Sequence, residues 1–237
     1  MEITALGDSA VIVRLQEDRE QTSTDALDAV LAAQRQLEQA KIPGVIEIAT
    51  SYTTVALFFD AMAAVKAGAP STGIFDWLGE RIGKALATAP ETFVSETRMV
   101  KVPVCYDDEF ALDLEHVARQ SGLGRQQAID LHLKTEYRVH CLGFTAGFPY
   151  LGGLPQKLAT PRRSIPRKEV PAGSVAIGGT QAGIYPAKSP GGWNIIGRTP
   201  LRLFAPEKNP PAFFSAGDRV RFRAITREEF DRLANEH

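Results

Sequence analysis

The sequence predicts an α+β protein of two domains, an N-terminal α+β domain over residues 1–90 and a mainly β domain over residues 91–237. Two observations support this prediction. Up to residue 90, pairs of short β-rich runs alternate with single amphipathic helices. Beyond residue 91, many short strands are separated by glycine and proline at close intervals. A length of 237 residues fits one large or two small domains.

The N-terminal domain is predicted to have the element order β-β-α-β-β-α. Leu27, Val30 and Leu37 fall on one face of the first helix, and Pro43 follows its end. This order predicts helices packed on one face of an antiparallel sheet. The predicted strands are Ile3–Leu6, Ala10–Gln16, Val45–Ile48 and Thr54–Phe59, and the predicted helices are Thr24–Lys41 and Gly73–Ala87.

The second domain is predicted to be built mainly from short strands joined by turns, which indicates a barrel or a sandwich. Its last helix begins with a capping box in which Thr226 pairs with Glu229. The predicted strands are Arg98–Tyr106, Tyr137–Leu142, Ser174–Ile177, Trp193–Gly197, Leu201–Phe204 and Arg219–Ile225, and the predicted helices are Asp113–Gln120, Arg125–Lys134 and Thr226–Ala234.

Composition argues against several classes of protein. With 44% hydrophobic and 23% charged residues the chain is ordinary for a globular protein, and its net charge of −1 argues against a general nucleic-acid binder. No apolar run reaches the roughly 20 residues of a membrane span, and the N-terminus shows no apolar leader, so we expect a cytoplasmic protein. Cys105 and Cys141 lie far apart, which predicts reduced thiols and no metal site.

Positive charge is concentrated between Lys134 and Arg202. This stretch holds ten Lys and Arg residues against Glu136 and Glu169, a local balance of +8, and the rest of the chain therefore carries −9. Such a concentration predicts binding of an anion, which would be a carboxylate, a phosphate or an acidic partner. A solvated basic face without a ligand is the alternative.

The segment Gly143–Pro155 combines glycines with aromatic residues. Glycine allows a backbone to approach a ligand closely, and flat rings provide apolar walls. We therefore predict that Phe144, Phe148, Tyr150 and, further along, Trp193 line a ligand pocket or an interface. A hydrophobic turn that fills one end of a barrel is the alternative.

Arg162, Arg163 and Arg167 are set among three prolines. Proline restricts the backbone, so a guanidinium mounted beside it loses less entropy on binding than one on a flexible loop. A guanidinium can bind a carboxylate or phosphate through two hydrogen bonds. The three arginines are therefore candidate substrate- or anion-binding residues, and arginines resting on the surface are the alternative.

Further candidates come from isolated polar side chains. Gln181 can donate to and accept from an amide, Tyr185 lies beside it, and Lys188 offers a point charge for an anion. His132, near the end of a predicted helix, is either a catalytic general base or a structural histidine. The chain has no phosphate-binding GxxxxGK[ST] loop and no GxSxG elbow, so any nucleotide requires a different architecture or another subunit.

Taken in order, these segments resemble the signature of the 5-oxoprolinase B-subunit family, which is also labelled allophanate hydrolase subunit 1 or sporulation-kinase inhibitor. Ala146 departs from the pattern, because the family usually has proline in this turn. The segments that carry the resemblance are Tyr137-x-Val139, Gly143–Gly152, Pro161-Arg162, Pro166–Ile177, Gln181–Pro186 and Ser189–Thr199.

The resemblance implies a small N-terminal α+β sandwich domain followed by a C-terminal cyclophilin-like β-barrel. It implies an enzyme complex with subunits A and C that opens 5-oxo-L-proline to L-glutamate. ATP, accompanied by Mg²⁺, would be bound by the assembled complex. The positive stretch would then serve the substrate carboxylate or the transferred phosphoryl group.

Two other functions remain open from the same resemblance. One is a non-enzymatic inhibitor that docks on a sporulation-type histidine kinase, and the other is a carboxyltransferase-like subunit in urea or allophanate metabolism. For the enzyme, we expect Arg163 and Arg167 to be needed for turnover and not for folding. We also expect the segments Gly143–Leu154 and Ser189–Trp193 to lie at or beside the cleft shared with the C subunit, with Trp193 as an anchor for that association or for ligand binding.

Overall fold

The computed structural model describes residues 1–15, 23–87 and 97–236. The chain divides into two compact units, Met1–Glu96 and Thr97–His237. The predicted domain boundary between residues 90 and 91 lies outside the described residues, as does the predicted stop of the preceding helix at Ala89-Pro90. Each unit is described separately below.

The first unit is an antiparallel sheet of order β1-β2-β4-β3 with helix α1 packed on β3, β4 and α3. This arrangement confirms the predicted layer of helices on one sheet face. A short helix that the sequence did not predict follows β4. The elements are β1 (Glu2–Leu6), β2 (Ala10–Arg14), α1 (Thr24–Ala40), β3 (Val45–Ser51), β4 (Thr54–Phe59), α2 (Ala61–Lys66) and α3 (Ile74–Ala87).

Helix boundaries in this unit follow from capping. The Ser23 hydroxyl accepts a hydrogen bond from the Ala26 N–H at 3.1 Å, which starts α1. Lys41 ends it in the left-handed conformation. Asp60 starts α2 in the same way as Ser23, through the Ala63 N–H at 3.0 Å. Local hydrogen bonds, and not only apolar spacing, therefore set where these helices begin and end.

The second unit holds nine strands, three α-helices and one 3-10 helix among its described residues. They are β5 (Met99–Val104), α4 (Leu114–Gln120), α5 (Arg125–Lys134), β6 (Glu136–Leu142), β7 (Pro149–Gly152), the 3-10 helix (Gln156–Leu158), β8 (Arg167–Val170), β9 (Ser174–Gly178), β10 (Gln181–Ile184), β11 (Ser189–Gly191), β12 (Asn194–Arg198), β13 (Arg219–Ala224) and α6 (Arg227–Ala234).

Seven of these strands form one sheet of order β12-β9-β10-β7-β6-β13-β5. Its two edges meet, because Cys105 directly after β5 and Arg198 at the end of β12 exchange backbone hydrogen bonds of 2.9 and 3.0 Å. The sheet is antiparallel except for the parallel pair β13 and β5. A barrel is therefore confirmed over a sandwich. The remaining strands, β8 and β11, form a separate two-stranded ribbon.

The barrel core is apolar and continuous. Alternate side chains of its strands, such as Val102, Val139 and Val220, are fully buried in it. Helix α4 packs against β12 and helix α5 against β13. Thr226 caps α6 by accepting from the Glu229 N–H at 3.2 Å, which confirms the predicted helix start.

One predicted strand is wrong. Leu201–Phe204 is irregular, and Phe204 makes only an isolated bridge to Ala212. Pro200 and Pro206 flank the segment and cannot donate ladder hydrogen bonds, which limits pairing. Conversely, β7, β8, β10 and β11 were not predicted. These strands have only three or four residues, and β7, β10 and β11 contain glycine or proline, so their apolar periodicity is too short to read.

Closure of the barrel predicts a strict requirement for glycine at position 197. An added Cβ there would lie 2.6 Å from Val104 Cγ1 and 3.1 Å from the Cys105 carbonyl oxygen. We expect Gly197→Ala to lower the free energy of unfolding by about 1–3 kcal/mol through overpacking. The measurement is urea unfolding followed by Trp193 fluorescence in a Trp77→Phe background, since these are the two tryptophans of the chain.

Gly124→Ala is the matched control. Gly124 lies in the same unit at the start of α5, with φ −71°, and its nearest neighbour to an added Cβ is Gln127 Oε1 at 3.6 Å. Equal unfolding free energies for Gly197→Ala and Gly124→Ala would show that the closure tolerates a side chain.

Candidate functional site

Three segments singled out from the sequence lie next to one another in the second unit. They are Gly143–Pro155, Ala159–Ser174 and Gln181–Asn194. Strand β10 pairs with β7 through Gly183 and Tyr150, and β11 pairs with β8 through Gly191 and Arg167. The segment between the 3-10 helix and β8, residues 159–166, is called here the arginine loop. It is joined to the end of β9 by two hydrogen bonds between the Thr160 and Gly179 backbones, of 3.1 and 2.8 Å.

The aromatic residues predicted from the sequence do come together. Phe148 lies at the centre, with ring centroids 4.9 Å from Tyr150, 5.2 Å from Tyr185 and 5.6 Å from Trp193. Phe144 contacts Phe148 at 5.7 Å. These five residues are called the aromatic cluster. Phe148, Tyr185 and Trp193 are buried, whereas Phe144 is 62% exposed.

Glycines make room for the buried rings of this cluster. A Cβ on Gly183 would lie 2.7 Å from Phe148, and one on Gly178 would lie 2.5 Å from Trp193. Gly191 contacts the Tyr185 hydroxyl in the same way. At these three positions the absence of a side chain therefore serves the packing of rings and not the approach of a ligand.

Phe144 lies at the tip of a tight turn. Its φ of +67° is in the left-handed region, which a bulky side chain rarely adopts. The turn is held by hydrogen bonds from Gly143 N–H to the Phe148 carbonyl and from Phe148 N–H to the Thr145 carbonyl, of 3.2 and 3.1 Å. Such strain is characteristic of binding sites, because the surrounding structure must maintain it. These bonds close the turn although Ala146 stands where the family has proline.

Two of the predicted anion-binding arginines bind an anion of the chain itself. Asp113, which directly precedes α4 and is 5% exposed, accepts hydrogen bonds from both. Arg167 donates to its two carboxylate oxygens at 2.8 and 2.9 Å, and Arg163 donates to one at 3.0 Å. The Ile195 N–H donates a fourth hydrogen bond at 2.7 Å. Removing either arginine would leave a buried carboxylate with fewer partners, so both also contribute to folding, contrary to the sequence-based expectation.

Arg162 takes a different position. Its guanidinium lies over the ring of Trp193, 5.6 Å from the centroid. The backbone on either side is fixed, because the buried Asn194 amide donates to the Pro161 carbonyl at 2.9 Å and the Arg163 N–H donates to the Gly192 carbonyl at 2.8 Å. The arginine loop is therefore held against β12 and its preceding turn, with Arg162 beside the aromatic cluster.

Burial raises the pKa of the phenols of Tyr185 and Tyr150. For Tyr185 a hydrogen bond with the Trp193 backbone and the charges of Arg162 and Arg167 oppose this rise, and for Tyr150 the charge of Arg162 does so. Both phenols stay protonated at neutral pH. They can hydrogen-bond to a ligand, but they cannot act as bases there.

Lys188 and Gln181 lie at the periphery. Lys188 forms an exposed ion pair with Glu169, with Nζ and Oε2 2.6 Å apart, and such pairs contribute little free energy. Gln181 begins β10 opposite Gly178 and is partly buried. Their predicted role as anion-binding residues stays a prediction.

His132 is not part of this site. It is 1% exposed on α5, its Nδ1 lies 2.8 Å from the Tyr106 hydroxyl, and its ring stacks on Phe222 at 4.3 Å. Burial lowers the pKa of His132 to about 3. Its partners Tyr106, Tyr137 and Phe222 belong to the main barrel core, whereas the aromatic cluster packs separately. The geometry favours the structural alternative over a general base.

Asp113 is the site residue that sequence reasoning missed. The local pattern predicts only a helix start at this position. Its partners lie 50 and 54 residues further along the chain, so no local pattern connects them.

The cysteines, possible metal ligands and possible membrane spans were also considered from the sequence. Cys105 and Cys141 are buried, and neither forms a disulfide. Among residues 1–15, 23–87 and 97–236, no three His, Cys, Asp or Glu side chains are grouped to hold a metal ion. In the same residues, none of the helices is both long and apolar enough to cross a membrane.

Comparison with known proteins establishes the family. The family described as carboxyltransferase domain, subdomain C and D, matches residues 1–214. A Bacillus subtilis (strain 168) protein named as the B subunit of 5-oxoprolinase is 41% identical over 233 residues, covering 97% of this chain and 95% of that protein. This chain belongs to the 5-oxoprolinase B-subunit family. A second member, from Escherichia coli O157:H7, is 50% identical over 132 residues, covering 56% of this chain and 61% of that protein.

Solved structures show that longer proteins share this fold. The crystal structure of TTHA0988 matches with a TM-score of 0.74 and 34% identity, covering 91% of this chain and 40% of that chain. The urea amidolyase of K. lactis matches with a TM-score of 0.74 at 19% identity, covering 99% of this chain and 15% of that one, which shows the shared fold alone. This chain therefore corresponds to one part of those longer proteins.

The depressed pKa of His132 predicts a pH-dependent stability. Above pH 6.5 the histidine is neutral in both folded and unfolded chains. As the pH falls from about 6.5 to about 3, only the unfolded chain binds the proton, so the free energy of unfolding decreases by up to about 1.4 kcal/mol per pH unit. We expect His132→Gln to remove this contribution to the slope, measured by urea unfolding at several pH values.

His116→Gln is the matched control, because His116 is exposed on the neighbouring helix α4. An equal change of slope in His116→Gln and His132→Gln would contradict the assignment.

Proposed function

We propose that this chain is the B subunit of an ATP-dependent 5-oxoprolinase that acts in the cytoplasm with subunits A and C and converts 5-oxo-L-proline to L-glutamate. The observation that carries the proposal is the 41% identity to the 5-oxoprolinase B subunit of Bacillus subtilis, over nearly the full length of both chains. The name of that relative, with its lettered subunit, implies an enzyme of several subunits.

The chemistry of the site suits such a substrate. 5-Oxo-L-proline is a small flat lactam with one carboxylate. The aromatic cluster offers ring faces and edges, and Arg162 lies at its rim. Arg163, the next residue in the chain, is partly exposed. Guanidinium groups bind carboxylates and phosphates through charge-assisted hydrogen bonds, so these two arginines would hold the substrate carboxylate or stabilise a phosphoryl group.

Opening the lactam requires activation. An amide carbonyl is a poor electrophile, and phosphorylation of the amide oxygen turns that oxygen into a leaving group before water attacks. The chain has no GxxxxGK[ST] loop to hold nucleotide phosphates, and Lys188 is paired with Glu169. We therefore place ATP and Mg²⁺ on the assembled complex and assign to this chain only the binding and orientation of anionic groups.

A second candidate is a carboxyltransferase-like role in urea or allophanate metabolism. It is favoured by 31% identity over 132 residues to a putative urea carboxylase of Emericella nidulans, a match that covers 51% of this chain and 10% of that protein. Such a role would depend on a biotin carrier. An activity of the chain that requires a carboxylated biotin carrier and not 5-oxoproline would select this candidate.

The proposal predicts activity only in the complex. The purified chain alone is expected to form no glutamate from 5-oxo-L-proline and ATP, because its sequence has no phosphate-binding loop and no recognisable acid/base pair. Combined with subunits A and C it is expected to restore turnover, measured as glutamate released. Glutamate formation by the chain alone, or none by the reconstituted three-subunit complex, would disprove the proposal.

Phe144 is the expected anchor for the C subunit. Trp193 is buried in the barrel, so its replacement would disturb packing, whereas Phe144 is 62% exposed at the tip of its turn. Exposed aromatic rings often dominate binding energy at interfaces. We expect Phe144→Ala to weaken association with the C subunit by about 2 kcal/mol, measured by titration calorimetry of the two proteins.

The matched control is Ile46→Ala, which removes another exposed apolar side chain, on strand β3 of the first unit. Both variants should keep the parental melting temperature. Equal affinity of the parent and Phe144→Ala for the C subunit would show that the Phe144 turn is not part of the interface.

A further inference from the structure

Asp113 occupies a position from which an aspartate usually caps a helix. It directly precedes Leu114, the first residue of α4, and a capping aspartate accepts hydrogen bonds from the N–H groups of the first turn. Here the side chain makes no capping hydrogen bond. Its carboxylate oxygens instead accept from Arg163 in the arginine loop, from Arg167 on β8 and from the Ile195 N–H. The carboxylate therefore serves the arginines and not its own helix.

Asp113 is fixed from the backbone as well. Its N–H donates to the Ile195 carbonyl at 2.7 Å, while the Ile195 N–H donates back to its carboxylate at 2.7 Å. This pair of bonds joins the start of α4 to β12. A side chain that binds the carboxylate is therefore fixed in position relative to β12.

The two arginines are held unequally. Arg167 binds both carboxylate oxygens through two nitrogens, and 21% of its side chain is exposed. Arg163 uses one nitrogen, and 37% of its side chain is exposed. A guanidinium carries five N–H donors. Arg167 is thus an anchor, whereas Arg163 is oriented by Asp113 and still has donors on its solvent-exposed part.

The local charge stays positive despite Asp113. The Asp113 carboxylate pairs with Arg163 and Arg167, and Arg162 is the residue before Arg163, so these four charged groups have a balance of +2. The positive charge of Arg162 reaches the phenols of Tyr150 and Tyr185 and opposes the rise in their pKa. An anion next to the aromatic cluster would therefore meet oriented donors and a favourable potential.

We propose that Asp113 is a positioning residue, which orients Arg163 through its buried carboxylate so that Arg163 and Arg162 together bind a carboxylate or phosphate group beside the aromatic cluster. This inference rests on the proposed function for the location of the substrate site. It adds the residue that prepares the site and the class of group bound there. Preorganised donors bind an anion more tightly because less side-chain entropy is lost.

The chain offers a matched control in Asp218. This aspartate is also buried in the second unit, binds one arginine, Arg98, through both oxygens, and also accepts from a backbone N–H, that of Ser215, at 2.9 Å. Arg98 lies near Phe213, outside the arginine loop. Asp113→Asn and Asp218→Asn therefore each remove the charge of a buried carboxylate that binds arginine, one at the site and one away from it.

The test is anion binding by the full chain in the Trp77→Phe background. Inorganic phosphate and 5-oxo-L-proline are titrated separately, with Trp193 fluorescence as the readout because Arg162 lies over that ring. We expect Asp113→Asn to raise the Kd for both probes about tenfold, and Asp218→Asn to leave it within about twofold. Urea unfolding should show both variants destabilised to a similar degree.

Two further variants separate orientation from mere stability. Arg163→Ala should weaken binding as much as Asp113→Asn, and the double variant should be no weaker than either, since both changes remove one function. Asp113→Glu keeps the charge and should bind more tightly than Asp113→Asn. Additive losses in the double variant would contradict a role of Asp113 through Arg163.

Three results would overturn the inference: unchanged affinity in Asp113→Asn, equal weakening in Asp113→Asn and Asp218→Asn, or no binding of either probe by the parent chain. None of these results depends on turnover. Failure of the three-subunit complex to release glutamate would overturn the proposed function, but it would not change the affinities measured for phosphate and 5-oxo-L-proline.

Discussion

The hydrogen-bonded contact between Cys105 and Arg198 is the constraint on which the second unit depends. It joins the two edges of the seven-stranded sheet, and Gly197 makes it possible because any side chain there would collide with Val104. Once the sheet is closed, β12 lies at a fixed distance from α4. That distance allows the backbones of Asp113 and Ile195 to bind each other, and so places the carboxylate under the arginine loop. The geometry of the site is thus a consequence of barrel closure.

The site combines two kinds of order. Phe148, Tyr185 and Trp193 are packed as tightly as any core, each against a glycine that leaves space for its ring. Phe144 and the arginines lie at the rim of this packed base. A rigid apolar base with polar groups at its edge is the usual composition of a small-molecule site, because the base holds the geometry and the edge provides specificity.

Much of the fold follows from the sequence where segments are long and periodic. Helix α1 and strand β6 are examples, since each repeats its apolar pattern over several turns or residues. Strands β7, β10 and β11 could not be predicted, because three or four residues with glycine or proline carry no readable period. Their strand conformation is imposed by neighbouring strands, which is a tertiary effect.

In the candidate site, too, some features follow from local sequence and others only from the tertiary structure. Four members of the aromatic cluster, Phe144, Phe148, Tyr150 and Trp193, could be predicted as a group because they lie near glycines, whereas Tyr185 was assigned to the anion-binding candidates. The partner of Arg163 and Arg167 could not, because Asp113 belongs to another segment and looks like an ordinary helix cap. His132 shows the opposite case, since a histidine near a helix end has no signature that reveals whether its ring is buried. The pairing of Asp113 with distant arginines and the burial of His132 both depend on the closed barrel. Local sequence patterns therefore cannot predict either of them.

The parallel pair of β5 and β13 has a consequence for the synthesis of the protein. Strand β5 ends at residue 104, whereas its neighbour in the sheet begins at residue 219, and its other contact, at Arg198, also comes late. During synthesis on the ribosome, neither edge of β5 can pair until most of the second unit has been made, so its apolar residues stay exposed until then. Pairing over such sequence separations is slow, because loop-closure entropy is lost before contacts form. Truncation before β13 would therefore leave an open sheet, and the nascent second unit is the part of this chain that most requires protection from aggregation.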